Sequence, residues 1–141
     1  RFTANRLESS WIENLGGADF KIHTLPPQAQ WSPINGFVYD DFDGDGRKEI
    51  IAAGNFFPFK PQLGRNDASF GISLYYDNKK LVTHESSISE LWLGGDIRDI
   101  EVLHFRSGMR RIIASRNDDA PAVFAPIADA RVMVAGSRKS N

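Results

Sequence analysis

Apolar, β-branched and aromatic residues fall in short runs along this chain, each ended by a cluster of Gly, Asn, Asp or Pro, and no long stretch repeats with the period of a helix. That pattern predicts strands near 10–14, 19–24, 35–42 and 48–55, then near 70–76, 80–84, 95–105 and 110–116, with little helix. The runs also resemble one another. WIEN (11–14) lies over YYDN (75–78), FKIH (20–23) over LVTH (81–84), QW (30–31) over LW (91–92), and IIAAGN (50–55) over IIASRN (112–117), at offsets of 64, 61, 61 and 62 residues. Four matches in one order at a nearly constant offset indicate two copies of a unit of about 60 residues. The expected organisation is residues 1–9 as the end of a preceding unit, in which FTAN (2–5) is the end of a strand like IIAAGN, then 10–60 and 61–124 as the two copies, and 125–141 as a tail.

A repeated unit of four short antiparallel strands predicts an all-β fold of propeller blades, each unable to bury both of its faces until neighbours stack on it. About two blades cannot close a ring. The chain is therefore expected to be the C-terminal part of a larger propeller, with the remaining blades of the parent chain as its first partners. A self-contained β-sandwich of eight strands is the alternative.

One turn carries more charge than a turn requires. In DDFDGDGRKEI (40–50) the acids Asp41, Asp43 and Asp45 alternate, Gly46 follows, then Arg47, and Glu49 comes two residues later. So many carboxylates at such spacing repel unless a cation sits among them. The spacing is that of a calcium loop, with carboxylates at positions 1, 3 and 5, Gly at 6 and a main-chain carbonyl at 7. A helix-loop-helix site would need a bidentate Glu at position 12, where this chain has Ala52, and the flanks GFVY (36–39) and IIAAG (50–54) read as strands. The expected site is thus a hairpin tip holding Ca²⁺ with Asp41, Asp43, Asp45, the Arg47 carbonyl and Glu49. A solvated Asp-Gly turn without metal is the plainer reading.

Composition narrows the function. With 17 basic and 18 acidic residues the net charge is −1, which gives no bulk reason to seek nucleic acid or an anionic membrane. Hydrophobic content of 41% suits a globular domain, no apolar run is long enough to cross a membrane as a helix, and without cysteine there is neither a disulfide nor thiol chemistry. Residue 1 is Arg, so the lack of a signal peptide at the start is uninformative. His23, His84 and His104 lack metal-ligand spacing, no GxSxG elbow, P-loop or dinucleotide fingerprint occurs, and carboxylates converging on one ion are unsuited to glycosidase work. The stretch GRNDASFG (64–71) reads as a loop between units held by Arg65 and Asp67, or as the rim of a ligand site; the tail 128–141 reads as a frayed terminus, with RVMV (131–134) as a strand added to a neighbouring edge or another chain as the alternative.

The stretch FVYDDFDGDGRKEIIAAGN (37–55) resembles the FG-GAP or VCBS type of propeller repeat. The wider run with GGDIRDIEVL (94–103) and SRND (115–118) is similar to the C-terminal region of large bacterial secreted or surface proteins that carry an ASPIC/UnbV module. The resemblance implies an extracellular or cell-surface, non-enzymatic segment for adhesion or for binding protein or glycan. It implies the same ion ligands, Asp41, Asp43, Asp45, Arg47 and Glu49, with Glu49 where Asp is commoner. The second copy has DIEVLHFRSG (99–108) in place of the acidic turn, keeping Asp99 at the place of the first ligand, so one ion per chain is expected. Some calcium-dependent polysaccharide lyases use similar repeats, which makes the propeller part of such an enzyme the second reading.

Overall fold

Runs with both faces apolar and runs that alternate end up in different places. A computed structural model describes residues 3–57, 64, 68–84 and 92–126. Within them nine strands form: β1 Ser10–Gly16, β2 Asp19–Thr24, β3 Gly36–Asp40, β4 Glu49–Ala53, β5 Ile72–Asp77, β6 Lys80–Thr83, β7 Ile97–His104, β8 Arg110–Arg116 and β9 Ala122–Phe124, with one 3₁₀ turn at Pro27–Gln30. Strands therefore form at all eight predicted places. β9, three residues long and set between Pro121 and Pro126, is the strand the pattern does not announce. Residues 3–9 carry no strand, and Phe2, the first residue of FTAN, lies outside the described residues. RVMV and most of the 58–67 loop, Arg65 and Asp67 included, lie outside the described residues.

All pairings are antiparallel, and they group the strands as β1-β2, β3-β4-β5-β6 and β7-β8-β9. The repeat period survives in this grouping, but its phase differs from the unit boundaries read above. The hydrogen-bonded sheet takes the last two strands of the 10–60 unit and the first two of the 61–124 unit, because β4 turns back onto β5 and pairs Ile50 with Leu74 and Ile51 with Ser73. A repeat read from sequence fixes spacing only. Where a sheet begins depends on which edges meet.

Within the middle sheet, β3–β6, the strand β4 is buried on both faces, which explains its unbroken apolar run. Ile51 and Ala53 join Val38 and Phe42 against Leu93, Ile97, Ile100, Ile112 and Ala114 of the last sheet and the loop before it. Ala52, on the opposite face, joins Ile72, Leu74 and Ala29, with Ile50, Leu25 and Ile34 around them. Strands buried on both sides lose the polar alternation of half-exposed ones. The inner strands β3 and β7 approach so closely that a Cβ on Gly36 would stand 2.8 Å from the Ile100 nitrogen.

One buried amide ties the loops at the opposite end from the acidic turn. Asn55 has no solvent exposure. Its Oδ1 accepts from Ser32 Oγ (2.6 Å) and the Ser69 main-chain N–H (3.2 Å), and its Nδ2 donates to the carbonyls of Ser69 (2.8 Å) and Gly95 (3.0 Å). Asn35 Nδ2 donates to the carbonyls of Asn55 (3.3 Å) and Ile97 (2.8 Å). At the matching place in the second copy, Asn117 binds Asp96 through its main-chain N–H (2.8 Å) and through Nδ2 to Oδ2 (3.3 Å).

Candidate metal centre

β3 and β4 close on the pair Asp40 and Glu49, and the residues between them form the acidic tip. Gly44 and Gly46 take φ of 79° and 89°, a region open to Gly at little cost, and these two reversals wrap the main chain around the side chains. Main-chain N–H groups then point inward. Gly44 and Gly46 donate to the two oxygens of Asp41 (2.6 and 3.1 Å), Asp45 to Asp43 Oδ1 (3.0 Å), and Arg47 to Asp45 Oδ1 (2.8 Å). Phe42 donates its N–H to Glu49 Oε2 at 2.9 Å, and both residues are buried, Glu49 at 2% exposure.

The result is four carboxylates, Asp41, Asp43, Asp45 and Glu49, of which one oxygen each lies within 4.8 Å of the others. This group could hold a metal ion. An all-oxygen donor set suits a hard cation rather than zinc or copper. Burial pushes the Glu49 carboxyl above its usual range, and the charges of Asp43, Asp41 and Asp45 push it further. A bound cation would offset both causes.

Two arginines hold the rim. Arg47 reaches back to Asp45 Oδ2 with Nε (3.0 Å) and a terminal nitrogen (2.7 Å), which holds the Asp45 carboxyl below its usual range, and its guanidinium lies 5.5 Å from the centre of the Tyr75 ring. Arg110, at the start of β8, crosses to the middle sheet and donates to Asp40 Oδ2 (2.8 Å) and the Asp41 carbonyl (2.9 Å). For Asp40, burial alone would raise the carboxyl; the hydrogen bond from Arg110, a main-chain bond and the nearby positive charges outweigh it and bring it below 3.8. A depressed carboxyl contributes stability that is present above its unfolded value and lost as pH falls through the folded one. Arg110→Gln is therefore expected to cost about 1 kcal/mol at pH 7, while the variant and the unaltered protein converge in acid. Urea midpoints measured at neutral pH and near pH 2.5 check this; an equal gap at both would show that the contact acts through packing alone.

The structure brings together all four acids named from sequence, with the Arg47 side chain beside them on Asp45. It corrects the place of Asp99, which pairs with Ser115 in the middle of β7, away from the turn that ends at Met109. By its cross-strand partner Asp99 occupies the position of Gly36, whose partner Ala53 is the repeat equivalent of Ser115. The β7–β8 tip closes on its own bonds, Phe105 N–H to Met109 O and Gly108 N–H to Phe105 O, both 2.9 Å. His23 is a strand residue, stacked on Trp11 at 4.3 Å and bonded to Glu13 at 2.8 Å, and His84 meets Tyr75 edge-on. Sequence reasoning missed Phe42, Asp40 and Arg110. The last two lie 70 residues apart, and no local pattern joins them.

No helix among the described residues is long and apolar enough to cross a membrane. In comparisons with known proteins no family model, no curated protein and no solved structure matches this chain.

Proposed function

We propose that this chain is a calcium-stabilised segment of propeller repeats from a secreted or cell-surface protein, without catalytic activity of its own, serving adhesion or the binding of a protein or glycan. The observation that carries the reading is the convergence of Asp41, Asp43, Asp45 and the buried Glu49 on one point, with main-chain N–H groups holding them there before any ion arrives. The Arg47 carbonyl is the further ligand expected from the spacing. Acids that share one cation are not available as a separate acid and base, so the cluster favours a structural ion over hydrolysis. Loops of extracellular modules bind calcium at about 10⁻⁴–10⁻³ M, which matches the millimolar calcium of the outside and would leave the site empty in cytosol. The three stacked sheets, each a meander or part of one, support the blade reading.

Titration calorimetry tests the ion. One calcium per chain is expected, with Kd on the order of 10⁻⁴–10⁻³ M, a much smaller response to magnesium, and none in Asp43→Ala. Equal binding by Asp43→Ala, or no heat with either metal, would overturn the assignment.

A further inference from the structure

The two outward faces of this stack of sheets differ in kind, and the repeat allows them to be compared residue by residue. On β4 and β8 the equivalent residues are Ile50 and Ile112, Ile51 and Ile113, Ala52 and Ala114, Ala53 and Ser115, each 62 apart. Their cross-strand partners pair Phe37 with Ile100, Tyr39 with Val102, Gly36 with Asp99 and Val38 with Glu101.

The face of the middle sheet that receives the last sheet is built from Gly36, Val38, Ile51 and Ala53, all buried. It works because position 36 has no side chain: a Cβ there would also stand 3.1 Å from the Asp99 Cα. The same face of the last sheet carries Asp99, Glu101 and Ser115, all exposed, beside Ile113. A further sheet could not dock there in the same manner. Asp99 fills the space that close approach needs, and two carboxylates would be buried without partners.

The other outward face is unfinished. Ile100 and Val102 are covered by the middle sheet, yet their equivalents Phe37 and Tyr39 are 65% and 59% exposed. Phe37 lines a hollow of about 440 Å³ that reaches from Ser10 and Trp11 on β1 to Ile50, Leu74 and Leu81 on the middle sheet, and with Tyr39 it lines an adjoining groove of about 450 Å³. Among the described residues β1 pairs only with β2, while its repeat equivalent β5 pairs with both β4 and β6. The groove and the open edge of β1 thus adjoin, and two strands equivalent to β3 and β4 would fill both at once.

We infer that the two outward faces take different neighbours: on the β1 side a further unit seats a hairpin of the β3–β4 pattern on Phe37 and Tyr39, pairing it with the open edge of β1, while the Asp99 face of the last sheet does not receive a sheet in that manner. The occupant is fixed by chemistry, since it must bring Gly and small apolar residues to that face and a β-edge to Ser10–Gly16. This rests on the repeat reading above and not on the ion.

The test uses the full chain and a synthetic peptide spanning residues 35–54, read by hydrogen exchange. Exchange within β1 and β3 should slow by about tenfold on adding the peptide, with β7 and β8 unchanged. The same peptide carrying Gly36→Asp and Val38→Glu should protect nothing. Protection on β7–β8, equal protection by the substituted peptide, or no binding would each overturn the inference. Running it with calcium and with chelator separates the two proposals: if calorimetry shows no calcium while the peptide still protects β1, the ion fails and the docking on the β1 side stands.

Discussion

Asn55→Ala is expected to lower the free energy of unfolding by about 3–5 kcal/mol, the largest effect of any polar substitution in the described part of this chain. Asn55 is fully buried and serves three loops through its side chain: Ser32 Oγ, the main chain of Ser69 and the Gly95 carbonyl. Removing the amide deletes those bonds and strands their partners away from water, and an abandoned buried group costs more than a formed bond gains. Asn117→Ala, at the exposed equivalent place with only Asp96 to lose, is expected to cost about 1 kcal/mol. Urea unfolding of both variants checks the contrast. Equal losses would mean that burial at position 55 is not what sets the energy.

About 2 mM calcium added to chelator-treated protein is expected to raise the thermal midpoint by roughly 2–8 °C, as one weak site and a domain of this size imply. Glu49→Gln turns the sign into a test. In the ion-free fold the Glu49 carboxyl is raised, so its favourable contribution is complete below the unfolded value of 4.5 and is lost as pH rises through the folded one. At pH 7 in chelator the ionised Glu49 is therefore a burden, and a Gln whose amide oxygen accepts from Phe42 N–H is expected to match or exceed the unaltered protein. With calcium the order reverses, because the variant cannot complete the ion's shell. The calcium gain itself should shrink as pH approaches 4.5, where protons compete for the same oxygens. A variant weaker than the unaltered protein in both conditions would indicate that Glu49 acts through packing rather than charge.

Much of this was legible because strand patterns are local. Strands form at all eight predicted places, and the alternation Asp41, Asp43, Asp45 before Gly46 named the acid cluster outright. What was not legible depends on pairing. IIAAG looks like any apolar strand, and only the sheet on each side shows why both faces needed to be apolar. The grouping of β3 with β6 follows from which edges meet, which a 62-residue offset does not encode. β9 was hidden by its length and its prolines. Asn55 stood in the repeat match as one letter of IIAAGN; its bonds to residues 32, 69 and 95 come from three separate loops.

Phe42 and Arg110 tie the acidic hairpin into the joint between two sheets. Phe42 lies in the core shared by the middle and last sheets while its N–H holds Glu49, and Arg110 reaches from β8 to Asp40 and the Asp41 carbonyl. Tension that peels the last sheet away must therefore pull on the acid cluster. Under the proposed reading, in which that cluster holds calcium outside a cell, ambient calcium would set the force at which the assembly yields, making the hairpin tip a mechanical fuse whose rating follows the medium.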